Sequence, residues 1–182
     1  YLHVWDDNNH IIGFGFSADE EGRTTGLKLS AYESSLEQNT PLESYQLNSQ
    51  DEAGLISYSY SEASYNPKAL MISPEKGIIA FPIMSWRYSV VVSDNWDYSY
   101  ISQYLVFYID FSATQIISEP IVISHDPSDY YIGIDRGVYI DGVIYTLSYA
   151  QLVSFDLETK TVLETVNFET YFETYTEKVY VD

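Results

Sequence analysis

The stretch GRTTGLKLSAYESS, residues 22–35, carries the pattern that decides the fold. Between Leu27 and Tyr32, apolar and polar residues alternate with the period of two that is typical of a β-strand with one buried face. Gly22 and Gly26 stand just before this run, and glycine is a common turn residue. The stretch therefore predicts a strand that is entered through a glycine-assisted hairpin, with Leu27 and Leu29 packed between neighbouring sheets.

Segments of the same kind recur along the chain, whereas a helical period is rare, and we predict roughly eleven strands. A weak repeat groups them into units of three segments in a constant order. The units read HIIGFGF, LKLSAYE and LESYQL, then GIIAFPI, LVFYIDF and SEPIVI, and finally GVIYTLS, LVSFDLE and TVLETVNF. Such a repeat of hairpin-connected strands is typical of the four-stranded antiparallel blades of a β-propeller.

We therefore predict an all-β, antiparallel fold with about three blades of a larger or incomplete ring. The chain is interpreted as a single domain, residues 1–182, with blades at roughly 1–50, 55–125 and 130–182. Three blades leave two blade faces without a neighbour, and large exposed apolar patches favour association. We expect self-association, or a cover for one face from the strand-like segment 174–182.

The composition excludes several classes of function. The chain has 8 basic and 27 acidic residues, a formal charge of −19, which argues against binding of nucleic acid or of anionic lipid. It has no cysteine, and no apolar run reaches the roughly 18 residues of a membrane span. Since the chain opens on Tyr1 rather than Met, we expect any targeting segment to lie outside it.

Three segments, residues 10–33, 59–83 and 137–159, resemble a known family. Together they are similar to bacterial secreted proteins with a C-terminal β-propeller domain, and the resemblance covers roughly residues 3–160. The most specific parts are GLKLS and SYSEA…KAL; the family's YDHKA is YNPKA here, so Pro67 replaces a histidine. The resemblance implies a propeller fold and a secreted or cell-surface location, and it implies no activity.

Candidate sites for chemistry are few. Asp19, Glu20 and Glu21 place three carboxylates beside a glycine turn, which suits a calcium ion, although a solvated hairpin tip is the alternative. No two of the three histidines, His3, His10 and His125, are two or four residues apart, so no zinc pair and no tightly bound transition metal is predicted. We expect no cofactor other than calcium.

The 19 Tyr and 3 Trp residues suit half-buried strands, and they also suit an aromatic binding surface. Trp86, Trp96 and Tyr98 are the candidates for such a surface. The leading hypothesis is a non-catalytic extracellular recognition or scaffold module of an exported bacterial protein, with a protein or glycan partner. Two alternatives stay open: a hydrolase of polysaccharide or peptide with an axial carboxylate site, and a calcium-assisted adhesion module.

Overall fold

In the computed structural model the regular secondary structure of the described residues is mostly β-strand. The structure describes residues 1–7, 9–35, 40–47, 56–91, 95–125 and 133–168. The strands are β1 (Leu2–Val4), β2 (His10–Ala18), β3 (Thr24–Glu33), β4 (Glu43–Gln46), β5 (Ile56–Tyr60), β6 (Met71–Ser73), β7 (Ile78–Val91), β8 (Asn95–Tyr108), β9 (Ile121–Ser124), β10 (Ile134–Ile140), β11 (Val143–Ser148), β12 (Gln151–Asp156) and β13 (Thr161–Asn167). The helices of the described residues are single 3-10 turns at Glu62–Ser64, Pro67–Ala69 and Pro74–Lys76.

The described strands form three antiparallel sheets. Sheet 1 has the order β1-β2-β3-β4, sheet 2 the order β5-β7-β8-β9 with β6 also beside β7, and sheet 3 the order β10-β11-β12-β13. The three segments of each predicted repeat unit are the second, third and fourth strands of one sheet. The prediction of consecutive four-stranded antiparallel blades is therefore confirmed, and the opening stretch is the third strand of sheet 1.

Sheet 2 lies between the other two sheets because its two faces are both apolar. On β7, Ile79 and Phe81 belong to a buried cluster with sheet 1, whereas Ile78 and Ala80 belong to a second buried cluster with sheet 3. This alternation follows from the strand, in which successive side chains point to opposite faces. In the sequence, the first half of β7 is a nearly continuous apolar run, as expected for a strand that is covered on both sides.

Leu27 and Leu29 are fully buried in the cluster between sheets 1 and 2, with relative exposures of 0%. The same cluster contains Phe81 and Phe107 of sheet 2 and Phe14 of sheet 1. The ring centroid of Phe81 lies 4.5 Å from that of Phe14 and 5.7 Å from that of Phe107. The expected packing of the two leucines between neighbouring sheets is thus confirmed.

Pro82 lies in the middle of β7, where a proline cannot donate to a ladder. The strand tolerates it because β6 pairs with residues 78–80 and β5 with residues 84–88, which leaves a gap at Pro82. The hydroxyl of Ser61 fills this gap by donating to the Pro82 carbonyl at 2.5 Å. The same hydroxyl accepts from the N–H of Ala63 at 3.2 Å and so caps the first 3-10 turn, which begins at Glu62.

His125 joins sheets 2 and 3 just after β9. Its Nδ1 lies 2.9 Å from the Ser148 hydroxyl and its Nε2 lies 2.8 Å from the Thr146 hydroxyl, and both residues lie on the buried face of β11. Since buried hydroxyls need hydrogen-bond partners, this contact indicates a structural role for His125.

The strand count differs from the roughly eleven that the sequence predicts, because thirteen strands are present in the described residues. The two additional strands, β1 and β5, are the first strands of sheets 1 and 2 and are only three and five residues long. The segment 174–182, predicted as a covering strand, lies outside the described residues.

Candidate functional site

A cleft of about 200 Å³ lies between sheets 2 and 3, and we call it the Glu62 cleft. The Ser102 hydroxyl of β8 accepts from the N–H of Ile134 of β10 at 2.7 Å and so ties the two sheets together at the cleft. The lining residues are Tyr60, Glu62, Pro82, Ile83, Met84, Ser102, Gly133, Ile134 and Asp135.

Glu62 is held in place by its own 3-10 turn. Its Oε1 accepts from the side-chain amide of Asn66 at 2.9 Å, and its Oε2 accepts from the Tyr65 hydroxyl at 2.5 Å. Hydrogen bonds to a carboxylate are short and strong, and they orient the group. The carboxylate of Glu62 is therefore fixed at the cleft by neighbours three and four residues further along the chain.

Two exposed tyrosines accompany this carboxylate. The rings of Tyr60 and Tyr65 lie 5.6 Å apart with an interplanar angle of 38°, and the residues are 40% and 57% exposed. Exposed aromatic rings present a negative face that attracts cations, and their edges and faces also pack on apolar groups. The cleft thus combines fixed carboxylate oxygens with aromatic surface.

Asp135 supplies the second carboxyl group, at the start of β10. Burial in the cleft raises the pKa of Asp135, and the nearby Glu62 carboxylate raises this pKa further, whereas Arg136 lowers it. The residue as a whole remains exposed to solvent. Two carboxyl groups that repel each other at one cleft favour either a proton or a positively charged ligand there.

This electrostatic conflict leads to a testable pH dependence. Because the pKa of Asp135 is raised in the folded state, Asp135 favours folding when it is protonated, and this contribution is lost as the pH rises through its folded pKa. We expect Asp135→Asn to raise the melting temperature at pH 7, and the difference from wild type to shrink as the pH falls towards about 4.

The matched control for this measurement is Asp141→Asn. Asp141 and Gly142 have φ values of 48° and 89° in the two-residue turn between β10 and β11, and Asn-Gly suits such a turn equally well. The control removes the same charge at another exposed position, outside the Glu62 cleft. Equal pH profiles for the two variants would contradict the electrostatic conflict at the cleft.

The predicted calcium loop is closed by an arginine. The Arg23 Nε lies 2.8 Å from Oδ2 of Asp19, and Arg23 Nη2 lies 3.0 Å from Oε2 of Glu21. Hydrogen bonds from backbone N–H groups, chiefly that of Arg23, together with the Arg23 side chain, hold the pKa of Asp19 below its usual value. Glu20 is exposed beside them. A calcium ion would have to displace Arg23 from both carboxylates, and the calcium site stays a prediction.

Among the described residues, the acidic loop included, no group of three or more His, Asp or Glu side chains is placed to hold a metal ion. Within the same residues, no helix has the length and apolar character needed to cross a membrane.

The predicted aromatic surface lies on the long hairpin of β7 and β8. The backbone register pairs Trp86 with Tyr100, Tyr98 with Tyr88, and Trp96 with Val90. The three candidates thus lie in the distal half of one hairpin, and their side chains lie outside the described part of the chain. Their role in binding stays a prediction.

Sequence reasoning did not single out the residues of the Glu62 cleft as a site. The segment SYSEASYN, residues 59–66, carries the usable signal, because Tyr60, Glu62, Tyr65 and Asn66 lie close together in the sequence. Asp135 carries no such signal, since it reaches the cleft through the packing of sheet 3 on sheet 2.

Comparison with known proteins agrees with this architecture. The sequence matches the family model described as "Beta propeller domain" over residues 1–160. No curated protein and no solved structure matches the chain. Since the match extends over most of the sequence and spans all three packed sheets, the chain belongs to the β-propeller domain family.

Proposed function

We propose that this domain is a non-catalytic recognition module of an exported bacterial protein, and that it binds a basic group of a partner protein in the Glu62 cleft. The observation that carries the proposal is the convergence of the Glu62 and Asp135 carboxyl groups beside an exposed tyrosine in one cleft. The bacterial and exported context rests on the sequence resemblance.

The charges in and around the cleft support a cationic ligand. A lysine ammonium or an arginine guanidinium between Glu62 and Asp135 would relieve the repulsion that raises the pKa of Asp135. The exposed ring of Tyr60 offers a cation–π contact at the same place. The net charge of −19 adds a long-range attraction that speeds the encounter with a basic partner.

A fluorescent hexalysine peptide tests the proposal by anisotropy titration. We expect saturable binding that weakens with added salt, and a loss of about tenfold in affinity, near 1.4 kcal/mol, for Asp135→Asn and for Glu62→Gln. Asp141→Asn, which removes the same charge away from the cleft, should bind as tightly as wild type. A hexaglutamate peptide serves as the negative probe.

Two results would overturn the cleft as the binding site. One is equal loss of affinity in Asp135→Asn and Asp141→Asn, because this would mean that only the net charge attracts the peptide. The other is saturable binding of a glycan on an array, in a protein that does not bind hexalysine. If Tyr60→Ala removed that glycan binding, the cleft would be assigned to a sugar.

A hydrolase is the second candidate function, and a specific observation favours it. A carboxyl group with a raised pKa beside a second, hydrogen-bonded carboxylate is the pairing that general acid catalysis uses. On this hypothesis Asp135 would donate the proton and Glu62 would act as the base. Turnover in a panel of chromogenic glycosides and peptides, abolished by Asp135→Asn and retained by Asp141→Asn, would establish it in place of the recognition module.

A further inference from the structure

The residues that line the Glu62 cleft are ordered by depth, with apolar side chains below and carboxyl groups nearer to solvent. Pro82, Ile83 and Ile134 are all buried, and the two isoleucines are only 5% and 4% exposed. Glu62 is half-buried and Asp135 is exposed. The cleft therefore offers a ligand an apolar floor and holds its positive charge near the mouth.

This order of groups is the reverse of what the side chain of lysine or arginine carries into a cleft. Both side chains have their charge at the far end of a long apolar stem. A stem that entered end first would bring the charge to the floor beside Ile83 and Ile134, where a positive charge without a partner is costly to bury. A lysine therefore reaches the carboxyl groups by lying across the mouth, with the floor left empty. The α-ammonium of a polypeptide has the opposite arrangement, because its charge is on the Cα atom and its side chain extends beyond it.

The two carboxyl groups supply acceptors for the N–H bonds of an α-ammonium. Each carboxylate oxygen of Glu62 accepts one hydrogen bond from its own turn, from Asn66 or from Tyr65, and so keeps a lone pair for a ligand. Burial and then the charge of Glu62 raise the pKa of Asp135, and both effects exceed the opposing effect of Arg136. A positive charge at the mouth is therefore favoured despite the nearby arginine.

Ser102 supplies a donor for the group that follows an α-ammonium in a peptide, which is a carbonyl. The hydroxyl oxygen of Ser102 accepts from the N–H of Ile134 at 2.7 Å, so the hydroxyl keeps its own proton for a further acceptor. A lysine side chain has no carbonyl group beside its charge. The acceptors and the donor of the cleft thus match the ammonium and the carbonyl of a first residue.

The size of the cleft suits a single residue. At about 200 Å³ it is smaller than the roughly 300–1,000 Å³ of sites that take drug-sized ligands. Gly133 and Met84 come close together in its lining, since a Cβ atom at Gly133 would lie 2.7 Å from Cε of Met84. A first residue with an apolar side chain fills such a space while the rest of its chain continues into solvent.

We propose that the Glu62 cleft binds the free amino terminus of a partner polypeptide whose first residue is apolar, an inference that rests on the proposed recognition of a basic group at this cleft. Glu62 and Asp135 bind the α-ammonium, and Ser102 donates to the first carbonyl. The side chain of the first residue packs on Ile83 and Ile134. Capture of an amino terminus is a recurring mode of peptide recognition.

Two singly charged peptides with a fluorophore at the C-terminus test the inference by anisotropy titration. One is Leu-Gly-Gly-Ser-Gly with a free amino terminus, and the other is acetyl-Gly-Gly-Lys-Gly-Gly, whose charge is on the lysine. We expect the leucine peptide to bind at least about tenfold more tightly at pH 7. Raising the pH to 9 should weaken its binding by more than about tenfold and leave the lysine peptide unchanged, because an α-amino group loses its proton near pH 8 and lysine near pH 10.

Substitutions separate the part that binds the charge from the part that binds the side chain. Glu62→Gln and Asp135→Asn should each weaken the leucine peptide about tenfold, and Asp141→Asn should leave its affinity unchanged. Gly133→Ala narrows the cleft, so it should weaken the leucine peptide more than Gly-Gly-Gly-Ser-Gly. Gly15→Ala is the control, since a Cβ atom there meets nothing within 4 Å.

The results distinguish this inference from the recognition of a basic group on which it rests. Equal or tighter binding of the lysine peptide, or binding of hexalysine with neither short peptide bound, would overturn the amino-terminal ligand and leave that recognition standing. If neither hexalysine nor either short peptide bound, both proposals would be wrong. A preference for the leucine peptide that persisted in Glu62→Gln and Asp135→Asn would contradict the assignment to this cleft.

Discussion

Replacement of Phe81 by alanine is expected to lower the free energy of unfolding by about 3–5 kcal/mol, because it opens a large cavity in a closely packed interior. Phe81 is fully buried, and its ring packs against Phe14 of sheet 1 and Phe107 of its own sheet. The substitution therefore removes the centre of the contact between sheets 1 and 2. Urea unfolding, followed by far-ultraviolet circular dichroism at 25 °C, measures the change.

Phe16→Ala is the matched control for Phe81→Ala. Phe16 lies on the same face of β2 as Phe14 but is 53% exposed, so little burial is lost and we expect a change below about 1 kcal/mol. Phe81→Leu should fall between the two, because leucine refills part of the space. Similar effects for Phe81→Ala and Phe16→Ala would mean that sheets 1 and 2 do not share a packed core.

Replacement of Gly137 by alanine is expected to destabilise the protein by about 3 kcal/mol, at the upper end of overpacking effects. A Cβ atom at this position would lie 2.6 Å from Oη and 2.7 Å from Cε1 of Tyr104, with Cζ also in contact. The ring of Tyr104 is fully buried between sheets 2 and 3 and cannot turn away. The expected loss of thermal stability is about 6–12 °C for a chain of this length.

Changes at Tyr104 test whether this clash is the cause. In a Tyr104→Leu background the added methyl group has room, so Gly137→Ala should cost at least about 1 kcal/mol less than in wild type. In a Tyr104→Phe background the ring remains and the cost should persist. Tyr104→Phe alone should not destabilise, because the Tyr104 hydroxyl is buried without a hydrogen-bond partner among the described residues.

A control for the glycine substitution itself is Gly15→Ala in β2. A Cβ atom at Gly15 meets nothing within 4 Å in the chain, so the change should be neutral or slightly stabilising. The comparison is made on dilute protein, since association would otherwise add to the apparent stability. Equal destabilisation by Gly15→Ala and Gly137→Ala would show that backbone freedom rather than the Tyr104 ring decides the effect.

The two packing variants, Phe81→Ala and Gly137→Ala, serve to separate effects on stability from effects on hexalysine binding. Neither Phe81 nor Gly137 lines the Glu62 cleft, whereas Asp135 does. We therefore expect Asp135→Asn to bind hexalysine about tenfold more weakly while its melting temperature at pH 7 rises. That opposite pair of effects is typical of a residue kept for recognition at some cost to the fold.

The order of strands was predictable from sequence because it depends on local patterns. The alternation in LKLSAYE and the repeated triplets of segments predicted the second, third and fourth strands of every sheet. The second and third strands of each sheet contribute buried residues to the core, so hydrophobic period and burial coincide there, whereas every residue of β13 is exposed. The two first strands β1 and β5 were not predicted, although β4 and β9, with four residues each, were.

The site depended on tertiary structure because its two carboxyl groups come from different sheets. Glu62 and Asp135 are 73 residues apart in the sequence (135 minus 62), and they meet through the packing of sheet 3 on sheet 2. By itself the sequence determined most of the strands and the burial of Leu27 and Leu29, since these follow from local period. The fold alone decided which charges share a cleft and which apolar faces remain open, because both depend on distances between residues far apart in the chain.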